Sequence, residues 1–163
     1  MRGVPADLGD IERIADVAQT AIGAFGGVDG LVNCAGIARY EPVGAITPES
    51  VDVQLRVNLV APMLLSQAVA QHLRDRGGAI VNVSSTLSER AAEFTSVYAA
   101  TKAALNGVSI ETINQRCQVI NDCRHGIRLG NFNPETAELT FRGRGLRCIL
   151  MSTKFKNDCP ICS

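Results

Sequence analysis

The sequence lacks tryptophan, net charge and long apolar runs, and the last two of these exclude whole classes of protein. It contains no tryptophan, aromatic residues make up 4%, and the formal net charge is zero. A chain without net charge is not a general binder of nucleic acid or of membrane surfaces. No uninterrupted apolar run reaches the roughly 20 residues of a membrane-spanning helix, and the start, MRGVPADLGD, lacks the apolar core of a signal peptide. The sequence therefore predicts a cytoplasmic protein with neither a nucleic-acid nor a membrane partner.

The chain has 163 residues, 46% of them hydrophobic, which is enough for one domain with a core. Five of its six cysteines lie in the last third: Cys117, Cys123, Cys148, Cys159 and Cys162. A closed zinc site would need two more ligands at suitable spacing beside the terminal CPIC. We therefore expect reduced thiols and no metal, with a zinc module in the tail as the least supported alternative.

Short apolar strands alternate with helical patterns in the first part of the chain. Residues 10–25 repeat apolar side chains at helical spacing before a Gly-Gly pair, and the strand VDGLVN follows. Thr47 and Pro48 are typical of a helix start, and Pro62 should bend or divide that helix. A second strand, GGAIVNVSS, precedes a helix over residues 96–110. This alternation predicts an α/β fold with a parallel sheet and helices on both faces.

Composition changes sharply near residue 108. The first 107 residues contain 18 alanines, whereas the last 56 contain one. Helical and strand periodicity is also lost there. The sequence therefore predicts an α/β unit over residues 1–107, which includes the active site, and a divergent tail over residues 108–163 that is poorly ordered or irregular. A frameshift near codon 108 is one hypothesis for this change.

Polar residues follow both strands, at the edge where parallel sheets bind ligands. Ser85 follows the second strand, and Tyr98 and Lys102 are one helical turn apart on one face of the next helix. An adjacent ammonium lowers the pKa of a phenol, which then exchanges protons nearer neutral pH. Together the three groups can move a proton to or from a carbonyl or alcohol oxygen, and a nicotinamide cofactor would supply the missing hydride. The alternative is a chance pair on a solvated helix face.

Five segments together resemble the short-chain dehydrogenase/reductase family. YAATK, with Ser85 thirteen residues before its tyrosine, resembles the active-site segment, and GGAIVNVSS resembles the strand that carries the catalytic serine. LVNCAG, RVNLVAP and ADL are similar to three further family motifs, and all five keep the family's order over residues 5–107. The resemblance implies a partial doubly wound, Rossmann-like sheet without its first strands. It also implies NAD or NADP as cofactor and a small-molecule alcohol or carbonyl substrate.

The resemblance implies a role for each matching position. Tyr98 would be the general acid/base, Lys102 would hold the nicotinamide ribose, Ser85 would orient the substrate oxygen, and Asn58 would support a water that links Lys102 to solvent. The cofactor-binding positions would be Asp7, on the adenine amine, together with Asn33, Ala35, Gly36, Tyr98 and Lys102. Cys34, which replaces an asparagine of the family motif, would be a small buried hydrophobe.

The sequence also departs from the family pattern. It has no glycine-rich Thr-Gly-x-x-x-Gly-x-Gly turn, which holds the cofactor pyrophosphate. The family's first strand, which should pair with the strand VDGLVN, is also missing, so that strand should have an open edge. After residue 107, HGIRLGNFNPE, with Pro134, resembles the family's next strand. An alternative function follows: a catalytically impaired fragment or pseudoenzyme that acts only through association with intact family members. Homo-oligomers would form through the helices at 58–76 and 96–110.

Overall fold

The computed structural model describes residues 5–76 and 78–113 and four later strands. The helices are α1 (Ile14–Phe25), α2 (Pro48–Leu55), α3 (Ala61–Arg76) and α4 (Ser96–Ile113). The strands are β1 (Gly30–Asn33), β2 (Ala79–Asn82), β3 (Gln118–Asn121), β4 (Gly130–Asn133), β5 (Glu138–Phe141) and β6 (Cys148–Met151). A 3-10 turn (Ile11–Arg13) precedes α1, and a π-helical turn (Arg56–Val60) joins α2 to α3.

Four strands form one parallel sheet in the order β3-β2-β1-β6. β1 and β2 pair in parallel with Gly30 opposite Ala79 and Asn33 opposite Asn82. The ends of both strands therefore meet at one edge of the sheet. The prediction of a parallel α/β sheet is confirmed.

The expectation of an open edge on β1 is wrong. β6 pairs with that edge in parallel, with Gly30 opposite Cys148 and Asn33 opposite Met151. The segment CILM is apolar throughout, as strands of parallel sheets commonly are, and β6 is the end strand of the described sheet. The described residues of the tail over 108–163 belong to the end of α4 and to strands β3 to β6, and the expectation of a poorly ordered or irregular tail stays a prediction. Cys117, Cys123, Cys159 and Cys162 lie outside the described residues.

The strand after α4 also differs from the expectation. Gln118–Asn121, and not HGIRLGNFNPE, pairs with β2. Short connections between a helix and the next strand are the norm in α/β units, and β3 follows α4 closely. Gly130–Asn133, within HGIRLGNFNPE, forms a separate antiparallel pair with Glu138–Phe141. Pro134 lies outside the described residues.

Local signals at the helix ends are confirmed. The Thr47 side chain accepts a hydrogen bond from the Ser50 N–H at 3.2 Å, and Pro48 is the first residue of α2. Gly26 ends α1 in the left-handed region at φ 64°, where glycine costs nothing in steric energy. The Gly27 N–H then bonds the Ile22 carbonyl at 3.0 Å, which satisfies a carbonyl of the last turn.

The core lies between the sheet and helices α1 and α3. Alternate strand residues divide between the two faces of the sheet: Leu31 and Ile80 join this core, whereas Val32 and Val81 are buried outside it. α4 packs against β2 and β3. The buried residues that α1 and α3 add to the core are Ile14, Ala18, Ala21, Ala61, Leu65, Val69 and Leu73.

One helical stretch is long and apolar enough to cross a membrane by length and composition alone. It runs from Pro48 to Ala70, 23 residues, and 39% of its most apolar window is buried. Gln54 and Asn58, within this stretch, are fully buried and hydrogen-bond the loop after β1. Helices of a domain core pass the same test, and these buried polar contacts favour that interpretation. The absence of a membrane partner stays a prediction.

Candidate functional site

Tyr98 and Lys102 share one face of α4, as their spacing predicts. The Lys102 Nζ lies 5.9 Å from the centroid of the Tyr98 ring. Lys102 is only 3% exposed, and its ammonium donates to the Val83 carbonyl at 2.8 Å. Tyr98 is half-buried. The pair is therefore a buried cation close to the ring of a half-buried tyrosine, and not a solvated surface pair.

The start of α4 is fixed to the end of β2. Thr95 is fully buried, and its carbonyl accepts the Ala99 N–H at 2.8 Å. Ser84, just beyond β2, donates its hydroxyl to the Lys102 carbonyl at 3.3 Å. The Ser84 bond holds the helix that carries Tyr98 against the strand end that carries Ser85.

Asn58 lies within the π-helical turn, just before Pro62. Proline has no N–H to donate to the carbonyls of the preceding turn, and the Ala61 N–H bonds the Arg56 carbonyl, five residues earlier. Such π turns are frequent at functional sites. The prediction that Pro62 bends or divides the helix is confirmed as this change of helix type.

The Asn58 amide ties together the loop after β1 and helix α4. Its Oδ1 accepts the Ile37 N–H at 2.8 Å, and its Nδ2 donates to the Ile37 carbonyl at 2.8 Å and to the Thr101 hydroxyl at 3.1 Å. The Thr101 hydroxyl in turn donates to the Tyr98 carbonyl at 2.7 Å. Asn58 is fully buried. Its side chain therefore acts as a structural tie, and its link to a water stays a prediction.

Ser85 caps the short turn that follows β2. Its hydroxyl oxygen accepts the Leu87 N–H at 3.2 Å, and its backbone is extended at φ −152°. This bond occupies a lone pair of the oxygen, so the O–H can still donate. The side chain is half-buried. Ser85 thus combines the ordinary capping role with a hydroxyl that can bond a substrate oxygen.

Gly36 brings the backbone close to Lys102. A Cβ atom at this position would lie 3.4 Å from the Asn58 Oδ1 and 3.5 Å from the Lys102 Nζ. Because glycine has no side chain, the space beside the ammonium stays open at this point. The structure thus brings three predicted site residues, Gly36, Asn58 and Lys102, into one cluster.

Asn33 and Ala35 face the protein interior. Asn33 is 3% exposed, and its Nδ2 donates to the Asn82 Oδ1 at 2.7 Å and to the Ser66 hydroxyl at 3.3 Å. Its Oδ1 is buried and has no hydrogen-bond partner among the described residues. Ala35 belongs to the buried core. Their role in lining a cofactor stays a prediction, which for Ala35 would involve the backbone.

Asp7 and Cys34 lie at the margins of this cluster. Asp7 is exposed, and its carboxylate accepts the Gly9 N–H at 2.8 Å. This local bond orients the carboxylate. Binding of the cofactor's adenine amine by Asp7 stays a prediction. Cys34 is half-buried, and not the fully buried hydrophobe that the sequence analysis expected.

Sequence reasoning missed several residues that hold the site together. Thr101 and Ser84 bind α4 to its neighbours, and Gln54 accepts the Arg39 N–H at 3.2 Å. Thr101 is three residues after Tyr98, and Gln54 is one helical turn before Asn58. Helical spacing to a predicted site residue was therefore a usable signal for both.

Known proteins with similar sequences are reductases and dehydrogenases. The chain is 40% identical to human L-xylulose reductase over 143 residues, which cover 86% of this chain and 54% of that protein. The chain thus spans about half the length of the curated relatives it matches.

Solved structures agree in fold. A metagenomic short-chain oxidoreductase in complex with NADP matches with a TM-score of 0.68 and 30% identity, over 74% of this chain and 57% of that one. A 4-hydroxyisoleucine dehydrogenase complexed with NADH matches with a TM-score of 0.65 and 31% identity, over 72% of this chain and 51% of that one. The sheet described above is therefore part of a Rossmann-like fold.

A family model described as short chain dehydrogenase matches residues 1–135. The match extends beyond residue 107, where the motifs quoted from the sequence end. It agrees with the order of those motifs, with the parallel sheet and with the cluster of Asn58, Tyr98 and Lys102 at the ends of its strands. The chain belongs to the short chain dehydrogenase family.

Proposed function

We propose that the protein is an NAD(P)-dependent oxidoreductase that interconverts an alcohol and a ketone or aldehyde, with Tyr98 as general acid/base. One observation carries the proposal: the buried ammonium of Lys102 lies 5.9 Å from the centre of the Tyr98 ring.

The acid/base role of Tyr98 depends on the charge of Lys102. Burial opposes an ammonium, but the Val83 carbonyl at 2.8 Å stabilises it through a charge-assisted hydrogen bond. The positive charge in turn stabilises the phenolate and so lowers the pKa of Tyr98. In carbonyl reduction Tyr98 donates the proton from its hydroxyl to the substrate oxygen, and in alcohol oxidation it accepts that proton.

Ser85 and Asn58 prepare the site for this proton transfer. The Ser85 O–H donates to the substrate oxygen, while the Leu87 N–H holds the serine oxygen in place at 3.2 Å. Asn58 fixes the loop after β1 to α4 through Ile37 and Thr101. A water beside Asn58 would carry the proton between Lys102 and solvent, as the family resemblance implies.

The residues around Lys102 fit the ribose end of a nicotinamide cofactor. Gly36 leaves room beside the Lys102 Nζ, and the ammonium is a donor for ribose hydroxyls. The exposed Asp7 carboxylate is an acceptor for the adenine amine. NAD or NADP, when bound, supplies or takes up the hydride. Because the sequence contains no glycine-rich pyrophosphate turn, cofactor affinity is the first quantity to measure on this chain.

The substrate class that we propose is a small alcohol or carbonyl compound. The human relative is by name a reductase of L-xylulose, a hydroxylated ketone. Ser85 and Tyr98 are suited to any substrate with one reactive oxygen, so these two residues do not by themselves select a sugar. The cytoplasmic location also stays a prediction.

The proposal is tested by comparing Tyr98→Phe with Tyr40→Phe. Each variant removes one hydroxyl and keeps the ring, and Tyr40 is an exposed residue outside the proposed machinery. NADH and NADPH oxidation is followed with L-xylulose as the first substrate. We expect turnover in the parent and in Tyr40→Phe but not in Tyr98→Phe. Undiminished turnover in Tyr98→Phe would exclude the mechanism.

A second candidate is a chain that acts by association. Leu55 and Met63, on the stretch from α2 to α3, are 37% and 44% exposed. α4 also exposes small residues at positions 100, 103, 104 and 107. Met63 and these α4 positions lie on the predicted interface helices at 58–76 and 96–110, and together they favour a homo-oligomer.

Two measurements separate the candidates. Sedimentation of the parent and of Met63→Glu measures association, and we expect the charged variant to dissociate. Titration with NADH and NADPH measures the cofactor site. Association without cofactor binding at millimolar concentrations would favour the non-catalytic candidate over the oxidoreductase.

A further inference from the structure

One face of α2 and the π turn presents three buried polar residues. Ser50, Gln54 and Asn58 follow one another at four-residue intervals, and each is fully buried. Each of them bonds the chain that follows β1, between Ile37 and Glu41. Buried polar side chains are costly unless they are hydrogen-bonded, so this stripe needs an explanation beyond core packing.

The bonds form a regular series, which we call the polar ladder (Ser50, Gln54 and Asn58 against Ile37, Arg39 and Glu41). Asn58 binds both backbone groups of Ile37 at 2.8 Å, and Gln54 accepts the Arg39 N–H at 3.2 Å. Ser50 donates to the Glu41 carboxylate, and the Gln54 amide donates to the Ser50 hydroxyl at 3.4 Å. The chain thus runs antiparallel to the helix.

The spacing explains why every second residue of the chain meets every fourth residue of the helix. Four helical residues rise about 6 Å, and two residues of an extended chain advance about 6.6 Å. The two intervals match closely enough for three successive contacts. The ladder is therefore a continuous attachment of the loop along the helix.

Both ends of the ladder reach the proposed catalytic groups. At one end, Gly36 precedes Ile37 and lies against the Lys102 Nζ. At the other end, the Glu41 N–H donates to the Phe94 carbonyl at 2.9 Å. Phe94 has a left-handed backbone at φ 63°, which is unfavourable for a residue with a side chain. It comes just before buried Thr95, at the entry to α4.

We propose that Gln54 is a positioning residue, which holds the central contact of the ladder and thereby sets where Gly36 meets Lys102 and where the chain enters α4. The proposal rests on the proposed roles of Tyr98 and Lys102 in the function above. Gln54 touches none of the reacting groups itself.

The main experiment measures amide hydrogen exchange in the parent and in Gln54→Met. Methionine keeps a long unbranched side chain but removes both hydrogen bonds. We expect the Arg39 amide to exchange at least about tenfold faster, and the flanking amides of Ile37 and Glu41 to accelerate with it. Gln19→Met, an exposed glutamine on α1, is the matched control and should change none of the three rates.

A conservative variant and a wild-type measurement guard against a variant that fails to fold. Gln54→Glu keeps an oxygen that accepts the Arg39 N–H, so its Arg39 rate should stay close to that of the parent. The parent alone must also show slow exchange at Ile37, Arg39 and Glu41. Exchange at Arg39 as fast as in an unfolded peptide would overturn the proposal, as would a Gln54→Met protein in which only Arg39 accelerates.

A second readout reports on the catalytic helix. The chain has two tyrosines and no tryptophan, so a Tyr40→Phe background leaves Tyr98 as the single source of tyrosinate absorbance. We expect Gln54→Met to move the Tyr98 ionisation midpoint upward, because the ammonium is less firmly held. An unmoved midpoint would overturn the proposal. An ordinary midpoint already in the parent would instead refute the proposed Tyr98 chemistry, and the exchange rates alone would then decide on Gln54.

Discussion

Replacing Lys102 with methionine removes the charge on which the proposed chemistry depends. The Lys102 Nζ lies 5.9 Å from the centroid of the Tyr98 ring, and two unit charges about 6 Å apart interact by about 3 kcal/mol at an effective dielectric constant of about 20. Loss of this attraction should make the Tyr98 phenol a weaker acid. The variant also leaves the Val83 carbonyl without this donor, which should cost about 1–3 kcal/mol of folding free energy.

The assay is a tyrosinate absorbance titration in the Tyr40→Phe background, with far-ultraviolet circular dichroism as a check on folding. Arg90→Met is the matched control, because it removes an exposed positive charge. The control should leave the titration of Tyr98 unchanged. If Lys102→Met shifts the ionisation constant less than threefold in a folded protein, the electrostatic coupling between Lys102 and Tyr98 is refuted.

The same variant has a consequence for the pH dependence of turnover. Oxidation of an alcohol requires the phenolate, so its rate should rise with pH through the Tyr98 ionisation. Reduction requires the phenol, so its rate should fall over the same range. In the proposed mechanism the ammonium of Lys102 stabilises the Tyr98 phenolate, so Lys102→Met should move both profiles to higher pH. Profiles that stay in place would assign the titration to another group.

Three further predictions concern two glycines, Gly78 and Gly36, and the helix cap at Thr47. Gly78→Ala should destabilise the fold by about 1–3 kcal/mol, because its Cβ would lie 2.6 Å from the Leu73 Cδ2; an unchanged midpoint of chemical denaturation would contradict this packing. Gly36→Ala should leave stability nearly unchanged, since its Cβ lies 3.5 Å from the Lys102 Nζ. It should nevertheless weaken NADH and NADPH binding in a direct titration, and equal affinity would count against the cofactor position. Thr47→Ala should cost about 1 kcal/mol through the lost helix cap, which denaturant melts of both proteins can measure.

Local rules account for the parts of the site that the sequence predicted well. The spacing of Tyr98 and Lys102 places them on one helix face whatever the rest of the chain does. The helix cap at Thr47 and the left-handed end at Gly26 depend on a few neighbouring residues. Parallel pairing of β1 with β2 follows from apolar strands on either side of a helical segment.

Non-local contacts account for what the sequence did not predict. The edge of β1 that was expected to be open pairs with β6, which is far from β1 in the chain. The residues CILM predict a strand but do not indicate which strand it pairs with. Strand periodicity likewise does not distinguish which of two candidate segments, Gln118–Asn121 or Gly130–Asn133, pairs with β2. Both outcomes depend on tertiary competition between strands of similar composition.

The polar ladder is an intermediate case. The stripe of Ser50, Gln54 and Asn58 is visible in the sequence as a four-residue repeat of polar side chains. Its partner, the chain from Ile37 to Glu41, has no regular secondary structure and therefore no periodic pattern to detect. Only the structure shows that the two segments meet.

The π turn between α2 and α3 has a consequence for the phase of the whole helical stretch. A π turn contains one residue more than an α turn, and each helical residue rotates the chain by about 100°. Deleting one residue between Arg56 and Val60 would therefore allow an unbroken α-helix, with more regular hydrogen bonds. The same deletion would rotate Leu65 and Val69 away from the core that now buries them. The π turn thus lets α2 direct its polar face to the loop after β1 while α3 directs its apolar face to the core. A shorter, unbroken α-helix could not satisfy both contacts.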